Sequence, residues 1–414
     1  MERERVTPKS YPTNLIDKDW SKRELFFRNN SKAYLDSVHD LQLRDDDVWV
    51  VTLPKCGTTW MQELCWLLMN DCNFEAALAQ DLELRSPFVE FHFYTHGDDG
   101  KVFAPVQDMT SPRLIKSHLP LPLLPAQLWQ GRHKVVYVFR NPLDALVSRY
   151  YHGVTFGSCY GKTLSQYIEE NLATDAALRE AIEHAHEFYQ LRHEPWLYYT
   201  SFELMKKDLR AVVEDLCRFL NKPIEDQPME QLLKHLSFEE MKNNPTTNHL
   251  WELKQITHKD AGKEKHNFVR RGKVNGYKDE LPREQIEKAN DYMKQCLLEK
   301  GITLEELLLP PSAKVSTGLL LLGSCLRLSL LLSPADAQAA HLTKRSYSDQ
   351  SVHGYMTERT CWWNEVCKEE FQSLFRCKCP QYSYCRSPGR YYNAYCSMTD
   401  TGYIWTQPNW DWGS

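Results

Sequence analysis

No field of one sign covers this chain. Its 414 residues carry 50 Lys and Arg against 55 Asp and Glu, a formal net charge of −5. That balance excludes bulk attraction to nucleic acid or an anionic membrane, so any anion must be held by a local constellation. The first residues, Met-Glu-Arg-Glu-Arg-Val-Thr-Pro-Lys, lack the apolar centre of a signal peptide. Synthesis is therefore expected to begin in the cytosol, and a cytoplasmic location follows as an expectation. Polar low-complexity tracts and short repeats are missing, which removes solenoids and disordered scaffolds. The spacing Gly-x-x-x-x-Gly-Lys-Ser/Thr is missing too, which weakens an ordinary ATPase reading. Residues 1 to 305 show no metal-ligand cluster, and no metal is expected.

What is present is a large apolar share, 42%, enough for one large core or two ordinary ones. Up to about residue 308, short β-rich apolar runs alternate with longer amphipathic stretches, the pattern of an α/β domain with a central parallel sheet flanked by helices. Val48-Trp-Val-Val-Thr-Leu53 is almost continuously apolar, as a central strand buried on both faces must be. Further strands are expected over 113–118, 134–139 and 196–200. Polar residues gather at their carboxyl ends, where open α/β sheets bind ligands.

The most informative of these ends is Thr52-Leu-Pro-Lys-Cys-Gly-Thr-Thr-Trp60. A strand feeds a tight turn and then a helix, so backbone N–H groups and the helix N-terminus can cradle an anion. Gly57 allows close approach, Lys55 adds charge, Thr58 and Thr59 add hydroxyls, and Trp60 offers a flat face. His118 ends a second strand and suits general-base work near neutral pH. After a third strand, Arg140 and Ser148 fall on one side of a helix start, where a guanidinium can hold a phosphate.

The nonapeptide resembles the donor-binding loop of cytosolic sulfotransferases, and further segments match that family in the same order over about residues 1 to 305. These are Leu114-Ile-Lys-Ser-His-Leu-Pro120, Val138-Phe-Arg-Asn-Pro, Leu236-Ser-Phe-Glu-Glu-Met241 and Phe268-Val-Arg-Arg-Gly-Lys273. The resemblance implies a P-loop-like nucleotide-binding fold and 3′-phosphoadenylyl sulfate (PAPS) as cosubstrate. It implies that His118, Lys55 and Lys116 carry catalysis. It assigns cofactor binding to Lys55, Cys56, Gly57, Thr58, Thr59, Trp60, Arg140, Ser148, Phe202, Phe238, Arg270, Arg271 and Gly272. Arg140 and Ser148 would read the 3′-phosphate, and Phe238 would pack on adenine. Two departures stand out. Phe202 replaces the tyrosine common near the adenine, and the family's dimerisation signature is not evident around Gly276 to Glu284.

The implied reaction is sulfonate transfer to a hydroxyl or amine of a small, apolar or phenolic acceptor. Phe88, Phe91, Phe93, Tyr94, Phe103 and Tyr151 could line its pocket. Retinol-dehydratase-like elimination with the same cofactor is the alternative. A binding protein defined by the C-terminal tail is another.

That tail departs in composition. Pro310-Pro311 breaks the preceding helix, and a leucine-rich, signal-like stretch runs to about 333, short for a membrane span and interrupted by Arg327. A membrane role is expected only if 315–333 inserts. Lys344-Arg345 resembles a dibasic processing site. Six of the 13 cysteines then crowd between Cys361 and Cys396, a framework typical of secreted disulfide-rich modules. The expected organisation is a sulfotransferase domain over 1–308, a linker over 309–345 and a small disulfide-rich module over 346–414.

Overall fold

The computed structural model describes residues 3–28, 31–90, 106–159, 161–174, 176–248 and 268–309. In the tail it describes 347–349, 354–357, 359–361, 365–369, 372–380, 383–387, 393–397 and 403–408. The chain divides into two compact units, Met1–Gly318 and Leu319–Ser414. Phe91, Phe93, Tyr94, Phe103, the leucine-rich stretch and Lys344-Arg345 lie outside the described residues.

The first unit is built on four parallel strands: β1 (Val48–Thr52), β2 (Leu114–Ser117), β3 (Lys134–Phe139) and β4 (Leu197–Ser201), in the order β2-β1-β3-β4. Every residue of β1 is buried, because helices cover both faces. Side chains alternate across the pleat, so each strand feeds two cores. Trp49 and Val51 join Val135, Tyr137 and Phe139 on one face. There they meet Ile182, Ala185 and Phe188 of α3 (Ala176–Gln190) and Leu143 and Val147 of α2 (Pro142–Thr155). Val48, Val50, Val136 and Val138 face the other way, against Met61, Leu64, Leu67 and Leu68 of α1 (Thr58–Met69) and Val213 and Leu216 of α4 (Leu209–Leu220). This is the expected α/β architecture, a central parallel sheet flanked by helices.

Strand ends differ from the sequence expectation by one residue. Arg113 and His118 stand just outside β2, although the Arg113 carbonyl still accepts from Val48 N at 2.9 Å. Arg113 donates through Nε to Asp47 Oδ1 at 2.6 Å, both residues being buried. His118 is described below. A short antiparallel pair, Arg3–Arg5 with Phe26–Arg28, lies apart from the main sheet.

The second unit holds a five-stranded sheet: β5 (Tyr347–Asp349), β6 (Val366–Lys368), β7 (Tyr384–Ser387), β8 (Ala394–Ser397) and β9 (Tyr403–Trp405), in the order β5-β9-β7-β8-β6. Its centre consists of Phe375, Trp405 and six half-cystines, joined as Cys361–Cys377, Cys367–Cys385 and Cys379–Cys396. So small a core leans on its cross-links. Each closes a loop of 16 to 18 residues, worth about 3 kcal/mol by chain entropy. In the first unit Cys56, Cys65, Cys72, Cys159, Cys217 and Cys296 are free thiols, five of them buried. Reduction with a phosphine should therefore unfold the tail module and leave the first unit's far-ultraviolet dichroism and melting transition unchanged. Circular dichroism with and without reductant reads both outcomes.

Candidate active site

Three adjacent strands deliver the site, because parallel pairing brings their carboxyl ends to one edge. β1 runs into the turn 53–57, β2 into His118, and β3 into Arg140. The turn is tightly wound. Lys55 has φ +72° and Gly57 φ +99°, a region costly for side chains. Gly57 is doubly required, since a Cβ there would stand 3.0 Å from the Phe202 ring. It also caps α1, its carbonyl accepting from Met61 N at 3.0 Å.

Thr52 ties the ends together. Its hydroxyl lies 2.6 Å from that of Thr58, fixing the first turn of α1 to the strand. Its carbonyl lies 2.7 Å from His118 Nδ1. A carbonyl only accepts, so Nδ1 carries the hydrogen and the neutral ring keeps its lone pair on Nε2. Burial pushes the His118 pKa well below the usual imidazole value, and the Lys116 charge adds to the effect.

Lys116 in β2 and His118 just beyond its end lie two residues apart, and both meet Phe88. The Lys116 ammonium lies 4.6 Å from the ring centroid, and the His118 ring lies 4.9 Å away. Lys116 is buried and pairs with buried Glu83 at 3.2 Å, a partner that no spacing in the sequence announces.

Arg140 reaches back over the turn. It donates to the Lys55 carbonyl at 3.0 Å and to the Lys273 carbonyl at 3.2 Å, and its guanidinium stacks 4.2 Å from the Phe202 centroid. Its Nε is buried with no hydrogen-bond partner among the described residues. Lys55 lies 3.7 Å over Phe268. With Ser148, Tyr151 and Arg270 these two residues line one recess. Gly272, at φ +55°, sits against Phe238, where a Cβ would come within 2.5 Å of the ring. The late loop and the helix α5 (Phe238–Asn243) are thus fitted to each other.

Not every expected residue opens onto the recess. Arg271 is exposed and pairs with Glu280 and Asp279, while Arg270 makes a two-pronged pair with Glu280, both contacts at 2.8 Å. Trp60 commits its indole N–H to the Leu236 carbonyl at 2.9 Å and meets Phe202 edge-on. Phe202 is buried beneath Gly57 and Arg140. Burial pushes the Cys56 thiol up to about 12, so Cys56 contributes bulk and backbone and no thiolate.

Sequence reasoning passed over three carboxylates: Glu83, Glu90 and Asp144. Asp144 lies two residues beyond the quoted Val138–Pro142 segment, at the third position of α2, and is almost wholly buried. It accepts from the backbone N–H groups of Asn275 at 2.7 Å and Tyr277 at 3.0 Å. Its place in the first turn of α2 was visible, but its partners 131 and 133 residues away were not.

A strand, a tight turn and a helix on a parallel sheet covered on both faces define an α/β fold of the sulfotransferase class. Residues 45–301 match the sulfotransferase domain, and the chain belongs to the sulfotransferase family and is a sulfotransferase enzyme. The luciferin sulfotransferase of Photinus pyralis is 31% identical over 291 residues, covering 67% of this chain and 78% of that protein. Sulfotransferase 1E1 of Bos taurus is 29% identical over 270 residues, 65% of this chain and 88% of that one. A solved structure of retinol dehydratase with retinol and PAP superposes with a TM-score of 0.57 at 26% identity, over 64% of this chain and 86% of that one.

Replacing Asp144 by alanine strands two main-chain donors. It should cost about 3 kcal/mol of stability and weaken binding of adenosine 3′,5′-bisphosphate, since the freed segment adjoins Lys273. Urea unfolding and calorimetric titration measure the two effects.

Proposed function

We propose that the first unit transfers sulfonate from PAPS to a hydroxyl or amine of a small, apolar or phenolic acceptor, by in-line displacement with His118 as general base. The observation that carries this reading is the His118 Nδ1 to Thr52 carbonyl hydrogen bond, 2.7 Å, which leaves Nε2 as the basic atom beside the anion turn. The family relationship supplies the donor class, and the PAP held by the similar dehydratase structure supports it.

The residues present fit that donor. Lys55, Cys56, Gly57, Thr58, Thr59 and Trp60 form the turn that would take its 5′ side. Arg140, whose buried Nε has no hydrogen-bond partner among the described residues, Ser148, Arg270 and the Gly272 backbone would take the 3′-phosphate, and Arg271 would join them only by leaving Asp279 and Glu280. Phe202 and Phe238 would border the adenine. Bound PAPS supplies the sulfonate and a bisphosphate leaving group.

His118 Nε2 accepts the proton of the acceptor hydroxyl as its oxygen attacks sulfur. Lys55 offsets charge that develops toward the leaving group, and Lys116, held by Glu83, does so around the sulfonate. Such preorganised cations need no reorientation during the step. A transferring sulfonate carries less charge than a phosphoryl group, so the reading invokes no metal. Phe88 and Tyr151 would border the acceptor on the described side. Elimination of the retinol dehydratase kind is the second reading, favoured by the 26% identity to that structure; mass analysis of products separates a sulfate ester from an alkene.

The proposal assigns the activity to residues 1–308, treats 309–345 as a linker, and gives the 346–414 module no part in sulfonation. It places the enzyme in the cytoplasm. No described helix is long and apolar enough to cross a membrane.

Because burial lowers the His118 pKa, the neutral base persists on the acid side of its ordinary 6.5. Activity should hold through pH 6.5 and fall only as pH drops through that lowered value. His118→Ala should reduce kcat by at least about 10²-fold while adenosine 3′,5′-bisphosphate still binds. A pH–rate profile and single-turnover transfer of labelled sulfonate test both.

A further inference from the structure

Segment 87–90 runs beside β2 without forming a named strand. Lys116 N donates to the Pro87 carbonyl at 2.9 Å, Val89 N donates to the Lys116 carbonyl at 3.1 Å, and Phe88 bridges Lys116 in parallel. The segment ends in Glu90, which is 3% exposed. One carboxylate oxygen, Oε1, accepts from the His118 backbone N–H at 2.5 Å and from the Ser117 hydroxyl at 3.0 Å. The Ser117 oxygen in turn accepts from Leu119 N at 3.0 Å. Glu90 thus holds Ser117 and His118 directly and Leu119 through the Ser117 hydroxyl. The other oxygen, Oε2, is buried with no hydrogen-bond partner among the described residues. Burying a carboxyl with one oxygen unsatisfied is costly, so its place here calls for a role.

On the far side the same turn is held by α3. His184 donates from Nε2 to the Leu119 carbonyl at 3.1 Å, while its Nδ1 faces the Tyr137 hydroxyl at 2.8 Å. A carbonyl only accepts, so His184 Nδ1 accepts from Tyr137. The His118 turn is therefore anchored at its N–H side by Glu90 and at its C=O side by His184, and the imidazole itself by the Thr52 carbonyl.

We infer that Glu90 is a positioning residue for sulfonate transfer: its Oε1 fixes the main chain of Ser117 and His118 and so aims the His118 ring at the reacting oxygen. The inference rests on the reading of His118 as the base. What matters is the place of the acceptor atom and not the negative charge. Glutamine keeps an acceptor at that place and loses the charge; aspartate keeps the charge and withdraws the acceptor by one methylene.

The test compares Glu90→Gln and Glu90→Asp in the full chain, with PAPS and whichever of 2-naphthol, retinol or a 3-hydroxysteroid the wild type turns over fastest. Expected are a kcat near wild type for Glu90→Gln and a loss approaching 10²-fold for Glu90→Asp, with KM for PAPS and affinity for adenosine 3′,5′-bisphosphate unchanged in both. Loss in Glu90→Gln with retention in Glu90→Asp would assign the role to charge and overturn the inference. So would two active variants, or two inactive ones. Should Glu90→Asp fail to fold, Ser117→Ala removes one donor and the Leu119 acceptor while leaving the carboxylate; a lowered kcat at constant KM supports the inference and an unchanged kcat overturns it. Full activity in His118→Ala would instead sink the general-base reading itself, so the two failures are distinguishable.

Discussion

The contact on which the rest of the site depends is the one made by Thr52 at the end of the central strand. Its carbonyl orients His118 and its hydroxyl meets Thr58, so one residue joins the turn 53–57, the first turn of α1 and the His118 imidazole. This is possible only because β1 is flanked by parallel neighbours in register, Val51 opposite Ser117 and Thr52 opposite Val138. With that register set, His118 and Arg140 emerge on either side of the turn. The helix layers on both faces hold the register, since a one-residue slip would exchange Trp49 and Val51 with Val48 and Val50 between cores of different shape.

Much of this was legible in the sequence, for physical reasons. A strand buried on both faces must be apolar throughout, so β1 and β3 announce themselves. A turn needing positive φ beside an aromatic ring needs glycine, so Gly57 stands out. What was hidden is long-range and polar. Glu83, Glu90 and Asp144 lie in stretches where an acidic residue is ordinarily solvated, and their partners are 27 to 133 residues distant. Phe202 illustrates the same limit: proximity to the turn was readable, but not that its ring packs under Gly57 and Arg140.

The cysteines show composition and structure agreeing by different routes. Six crowded half-cystines permit 15 pairings, and no spacing rule selects the first-third, second-fifth, fourth-sixth pattern found here. Crowding did forecast that the tail would be cross-linked, and scatter that the first unit's thiols would stay free. A buried thiol such as Cys65, whose ionisation burial strongly disfavours, is inert packing.

The central claim is that this site reads the 3′-phosphate of an adenosine nucleotide, and calorimetric titration tests it most directly. Without magnesium, adenosine 3′,5′-bisphosphate should bind about ten- to a hundredfold more tightly than adenosine 5′-monophosphate, the value of one charge-assisted phosphate contact, and Arg140→Ala should erase the difference. Equal affinities in the wild type, or a preference for ATP with magnesium, would contradict the account.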